Sequence, residues 1–132
     1  MIIFNNLQDL GLLALRIAIG IIFIYHGLPK LKKPKAMEQM FGNIWFPFLI
    51  GLGEFVGGIA AILGFYTEIA GLIFVILMLG ALYFKLLTSK APFSSMKKLG
   101  WEFDLILLGG ALALLFIGAG NISIDAVIGL WP

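Results

Sequence analysis

The chain has 132 residues, 61% of them hydrophobic and 12% charged, with a formal net charge of +2. Average soluble domains carry about 25% charged residues, and a soluble core of this size could not hide so much apolar surface, so the composition excludes an ordinary soluble enzyme and points to one polytopic membrane domain over residues 1–132. Cysteine is absent and His26 is the single histidine, which excludes disulfides, thiol relays, thiolate metal sites and two-histidine haem ligation within the chain; no metal and no nucleic-acid partner is expected.

The first residues, MIIFNNLQDLG, contain no Lys or Arg, unlike the basic start of a cleaved secretory signal, so the first apolar segment is expected to remain in the protein. Four apolar segments follow, at about 7–28, 44–63, 69–87 and 101–118. A helix of roughly 20 residues spans the hydrocarbon core. The expected fold is all-α and integral to the membrane, an antiparallel four-helix transmembrane bundle. The linkers differ. Residues 29–40 (PKLKKPKAMEQM) are basic with two prolines, 64–68 (GFYTE) form a tight turn, and 88–100 (TSKAPFSSMKKLG) are polar and basic. The tail 119–132 is apolar but too short to span. It is expected as a short C-terminal segment in the interface or docked on the bundle, with Ser123 capping a short helix and Asp125 in its first turn.

Lysine placement gives an orientation. Lys30, Lys32, Lys33 and Lys35 fall in the first linker, and Lys85, Lys90, Lys97 and Lys98 in or beside the third. The N-terminus, the second linker and the tail contain no Lys or Arg. The positive-inside rule then places residues 29–40 and 88–100 in the cytoplasm and both termini outside, in a prokaryotic cell membrane.

Two charges lie deep in apolar runs. Arg16 interrupts LGLLALRIAIGIIFIYHGL, and Glu54 interrupts the second segment. A charge there costs roughly 3 kcal/mol on insertion scales. Counting from opposite ends at 1.5 Å per residue puts both about 14 Å deep, so they are expected to meet. Small neighbours at helical spacing support close contact: Gly20 and Gly27 beside Arg16, Gly51 and Gly58 beside Glu54. Three readings stay open. The two form an ion pair that fixes helix register, or Arg16 offers a cationic fork to a ligand in a pocket with Glu54, or Glu54 relays protons.

A second polar group lies towards the lysine-bearing side: Tyr25, His26, Trp101, Glu102 and Asp104. His26 suits proton exchange near neutral pH. Glu102 and Asp104 point roughly 200° apart on a helix. Glu102 shares a stripe with Gly109 and Ala113 and is expected to face inward, with Asp104 facing Lys97, Lys98 or headgroups. Trp45, Trp101, Tyr66 and Tyr83 read as interfacial belt residues.

Three stretches carry a resemblance: LLALRIAIGIIFIYHGLPKL (12–31), GLGEFVGGIAAILGFYTEIAG (51–71) and WEFDLILLGGALALLFIGAGNISID (101–125). The chain resembles the DoxX family of small four-helix membrane proteins. The resemblance implies membership of membrane oxidoreductase systems: DoxD-type relatives resemble the large subunit of thiosulfate:quinone oxidoreductase, and others are tied to redox-stress complexes with soluble enzymes. The matching polar positions are Arg16, His26, Glu54 and Glu102. Asp104 and Glu68 depart from the family pattern. The expected function is an oxidoreductase subunit that binds a quinone or similar small carrier, with Arg16 and Glu54 binding the ligand and His26 and Glu102 as catalytic proton handlers. Membrane lipid, a soluble redox partner protein and a second copy of the chain are the expected partners. A non-catalytic scaffold and a small proton-coupled transporter are the alternatives.

Overall fold

Lipid offers a backbone no hydrogen bonds, so long apolar stretches satisfy their own N–H and C=O groups by coiling into helices. The computed structural model describes residues 5–131, with side chains from Leu7 onward; residues 1–4 and 132, the ends of the expected domain, lie outside the described residues. Among the described residues the fold is all-helical. The helices are α1 (Asn5–Lys32), α2 (Glu38–Phe41), α3 (Trp45–Leu63), α4 (Thr67–Tyr83), α5 (Trp101–Ile117) and α6 (Ile124–Val127). A 3-10 turn, Pro34–Met37, precedes α2, and a π turn, Phe84–Thr88, continues α4. Three stretches are long and apolar enough to cross a membrane: Leu7–Lys32, Trp45–Leu63 and Thr67–Thr88. At 17 residues α5 is shorter.

The first helix departs from the expected end at residue 28. It runs through Pro29 to Lys32. Proline lacks the N–H that would close on the preceding turn, but here it falls in the last turn and the chain still closes one more bond, Lys33 N–H to the Pro29 carbonyl at 2.8 Å. With 28 residues, α1 is about 42 Å long, longer than the roughly 30 Å hydrocarbon core. That extra length changes which residues of α1 and α3 lie side by side.

The α1–α3 contact is backbone on backbone. A Cβ on Gly27 would lie 2.8 Å from the Gly51 carbonyl oxygen, and one on Gly58 would lie 2.7 Å from the Gly20 carbonyl oxygen. Only glycine permits this approach. The order of these contacts, Gly20 with Gly58 and Gly27 with Gly51, makes α1 and α3 antiparallel. Further glycine contacts join the other helices: Gly57 of α3 meets Phe74 of α4, Gly71 of α4 meets Leu115 of α5, and Gly110 of α5 meets Ile19 of α1. At the centre Phe23 of α1 stacks on Phe74 of α4, ring centroids 3.8 Å apart and planes 2° from parallel. Ile19, Ala61, Val75, Leu107 and Leu114 are buried around them.

Large apolar side chains such as Ile21, Leu49, Ile76, Ile106 and Phe116 point outward. In lipid these faces are solvated, so removal from water supplies little of the helix–helix attraction. Dispersion across close contacts supplies it instead. Overpacking a close contact costs about 1–3 kcal/mol. Gly58→Leu should therefore lower the thermal midpoint of the purified protein clearly. Gly109→Leu should leave it unchanged, because nothing lies within 4 Å of a Cβ there. Equal melting of the two variants would contradict the α1–α3 packing.

Candidate functional site

Arg16 is 1% exposed, and the structure places it against the tail rather than Glu54. Its Nη1 donates to the Ala119 carbonyl at 2.6 Å and its Nη2 to the Ile122 carbonyl at 2.7 Å. The planar guanidinium suits two acceptors presented side by side. Gly64, at φ +68°, ends α3 beside it; a Cβ there would fall 2.5 Å from both Nη1 and the Ser123 Cβ. The expected Arg16–Glu54 contact is therefore corrected. Glu54 lies level with Gly27, whose Cβ would be 3.0 Å from the Glu54 Cβ. Eleven residues separate Gly27 from Arg16, about 16 Å along the helix.

The tail is held at several further points. Ser123 accepts the Ala126 N–H at 3.1 Å and caps α6 as expected. Asp125, 6% exposed, accepts the Tyr66 N–H at 2.8 Å on Oδ1 and the Thr67 N–H at 3.0 Å on Oδ2. It thus caps the start of α4 from 58 residues away in sequence. An anionic group at a helix N-terminus is favourable, and it holds Tyr66 at φ +48°, a conformation non-glycine residues rarely adopt. Asp9 receives the backbone N–H and the side-chain amide of Asn121, both at 2.9 Å.

The opposite, lysine-bearing end holds the other buried charges. Lys30 Nζ bonds both carboxylate oxygens of Glu54, at 2.7 and 2.6 Å. Glu54 is 4% exposed. One turn earlier on α1, His26 is half-buried and packs near Phe103 of α5, ring centroids 5.6 Å apart. Its Nδ1 lies 2.9 Å from the Ile22 carbonyl. A carbonyl only accepts, so Nδ1 carries the proton and Nε2 is the nitrogen left for exchange.

Asp104 and Glu102 exchange their expected places. Asp104 is 5% exposed and lies against the Lys85 ammonium, off line for a hydrogen bond. Glu102 is exposed. The buried stripe of α5 is Asp104, Leu107, Ala111 and Leu114; the small-residue stripe Glu102–Gly109–Ala113 misled because Gly109 faces open space. Of the four expected site residues, the fold puts His26, next to Gly27, at the same level as Glu54, buries Arg16 against the tail and leaves Glu102 exposed. Lys30, Lys85 and Asp125 escaped as partners. Lys30 continues the spacing Arg16, Gly20, Phe23, Gly27 by one more step, a signal hidden by reading Pro29 as the end of the helix. No signal in the sequence joins Asp125 to α4. Among the described residues no cluster of three or more His, Asp or Glu could hold a metal ion.

Apolar helices, backbone-close glycines and locally paired buried charges define a small helical integral membrane protein. The chain belongs to the DoxX family, whose profile matches residues 11–87, from early α1 into the π turn. It is 33% identical over 128 residues to a Bacillus subtilis (strain 168) protein named "Putative oxidoreductase CatD", covering 94% of this chain and 91% of the relative. It is 35% identical over 136 residues to an uncharacterized protein of Haemophilus influenzae (strain Rd), covering 92% of this chain and 95% of the relative. No solved structure matches the chain significantly.

Removing one partner of a buried pair leaves a bare charge, at a cost of about 3–5 kcal/mol. Lys30→Leu and Glu54→Leu should each lower stability on that scale, and the double variant should lose clearly less than the two losses added. Arg16→Leu combined with Glu54→Leu should be additive, since distant sites are independent. Unfolding of these variants together with Arg16→Leu alone, in one detergent, measures both; additivity at Lys30–Glu54 would refute the pairing.

Proposed function

We propose that the chain is the membrane subunit of an oxidoreductase system and takes a quinone or similar small lipid-soluble carrier at its lysine-bearing end. The observation that carries the reading is the buried Lys30–Glu54 pair with His26 one turn away. Ionisable groups are expensive inside a membrane, and where present they commonly serve ion, proton or substrate chemistry. The relative named as an oxidoreductase supports the same direction. In this reading the Lys30 ammonium can donate to a carrier oxygen while Glu54 and His26 Nε2 exchange its protons. Exposed Glu102, next to Phe103 on which His26 packs, passes protons to water. Arg16, committed to the tail, positions structure rather than ligand. The chain contains no cysteine and one histidine, so electrons come from a partner protein.

The proposed membrane arrangement has α1, α3, α4 and α5 crossing as an antiparallel four-helix bundle. Linkers 29–40 and 88–100 face the cytoplasm and both termini face outward, following the one-sided lysines. Cysteines placed at Lys33 and at Val127, both exposed, should react with a membrane-impermeant reagent from opposite sides of sealed vesicles. Labelling from the same side would reject the arrangement.

A scaffold role is the second reading, favoured by Lys32, Lys33, Lys35, Lys97 and Lys98, all exposed in the two lysine-bearing linkers, where an acidic soluble partner would dock. Binding decides between the two. Folded wild-type protein should bind ubiquinone or menaquinone analogues saturably. Glu54→Gln should weaken binding about tenfold or more, the worth of one charge-assisted hydrogen bond. His26→Ala should change the pH dependence of turnover with a partner more than binding. Absence of saturable binding by folded wild-type protein, together with lysine-dependent capture of a soluble partner, would establish the scaffold.

A further inference from the structure

Thr67 opens α4 with a side-chain hydroxyl that has no hydrogen-bond partner, although the residue is 1% exposed. Buried polar groups are normally paired, and an orphan calls for a reason. Thr67 lines a cavity of about 200 Å3 at the tail end, walled also by Tyr66, Glu68, Asp125 and Trp131. Each Asp125 oxygen already accepts one backbone N–H and keeps a further lone pair. The described lining thus includes two carboxylate residues and the hydroxyl residues Thr67 and Tyr66 but no cationic side chain.

Tyr66 and Ile69 are also walls of a second cavity, an apolar groove of about 610 Å3 between α3 and α4 that reaches Leu49 and has Gly53 and Gly57 in its wall. From Phe65 to Leu49 it extends about 24 Å at helical rise. The two spaces share Tyr66 and Ile69 as walls, which sets a compact acceptor-lined cavity beside the end of a long apolar groove.

We propose that cavity and groove together are a binding site for a neutral single-chain lipid whose compact head bears hydroxyl donors, with the head at Thr67 and Asp125 and the chain along the α3–α4 groove. The two carboxylates disfavour an anionic head, and the Arg16 guanidinium behind the wall is taken up by the Ala119 and Ile122 carbonyls. One groove accommodates one chain, which disfavours a two-chain phospholipid. The head cavity lies at the opposite end from Lys30, Glu54 and His26, the groove runs past the level of Glu54 without any of the three in its wall, and the proposal holds whether or not a redox carrier binds at them.

Trp131 reports on the head cavity. The protein carries three tryptophans, so Trp45→Phe with Trp101→Phe leaves Trp131 alone. In this background, in phosphatidylcholine nanodiscs, 1-monooleoylglycerol should shift Trp131 emission saturably. Oleate, with the same chain and an anionic head, and methyl oleate, with no donor, should bind at least tenfold more weakly. Thr67→Val keeps the shape and removes the orphan hydroxyl. It should weaken 1-monooleoylglycerol binding about tenfold, the scale of one hydrogen bond, while the empty protein melts no lower than the parent. Gly53→Leu, which fills the groove where a Cβ has only the ordinary contacts of Ile73 at 3.4 Å and Leu77 at 3.8 Å, should weaken it as well. A saturable shift lost in Thr67→Val supports the site. No saturable shift, equal binding of the three probes, or full binding by Thr67→Val overturns it.

Discussion

A charge buried among hydrocarbon needs a partner within reach, and the arrangement of this chain follows from how Arg16 finds one. No carboxylate lies beside it on α3, because the glycine contacts set α3 so that Gly64 and not Glu54 stands opposite. The guanidinium turns instead to two backbone carbonyls of the tail. These carbonyls belong to the segment just after α5, which has left helical geometry and would otherwise carry unsatisfied acceptors. One side chain therefore pairs its two terminal nitrogens with two carbonyls of the tail. The tail, once held, delivers Asp125 to the start of α4. Arg16 on α1, the end of α3, the beginning of α4 and the exit from α5 are thereby tied at one point, which makes a short apolar tail part of the fold.

The choice of cation differs between the two ends for physical reasons. Arg16 must address two fixed acceptors separated by the geometry of a turn, and a planar fork with several donors does this without losing its proton. Lys30 and Lys85 lie near helix ends, where a flexible stem lets the ammonium bend inward to a carboxylate while its methylenes cover apolar surface. Lys30 is 16% exposed at its side chain against 5% for Glu54, and Lys85 24% against 7% for Asp104. In both pairs the acid is the deeper partner. Each acid is thus reached from the side that the exposed lysines of the linkers also mark, and Arg16 to Lys at the other end would exchange a fork for a point charge where a fork is needed.

The helical class, the positions of the apolar segments and the capped tail helix were legible because each rests on local signals: run length, turn residues, a Ser–Asp start. The pairing of charges was not, and the reason is the solvent. In water an apolar stripe tells which face is buried. In lipid both faces are apolar, so the stripe containing Leu107 and Leu114 looks no more internal than the one containing Leu105 and Ile106, and the small residues that seemed to break the tie, Gly109 and Ala113, chose the wrong face. Register failed for a related reason. Depth was counted from the ends of segments, and the end of α1 was taken at a proline that the last turn tolerates. A shift of three or four residues there moves Lys30 from a solvated linker onto the helix opposite Glu54, and removes Arg16 from its expected partner.

The middle of the fold bears on which kinds of traffic the chain can support. Between Arg16 and Glu54 the stripe of α1 contains Gly20, Phe23 and Gly27. Gly20 and Gly27 are closed against α3 backbone, and Phe23 is closed by stacking on Phe74. Phe23 and Phe74 are 1% and 0% exposed, and the buried residues beside them are apolar. Protons or polar solutes moving through the centre would need donors and acceptors in this layer, or a rearrangement that unstacks the rings. Transport driven by Glu54 therefore asks for a second conformation that opens the α1–α4 contact. Chemistry with a carrier that travels in lipid asks for none, since such a molecule reaches either end from the side. The separation of two polar ends by a dry aromatic layer thus favours a protein that meets its small molecules at its flanks over one that passes them through its axis.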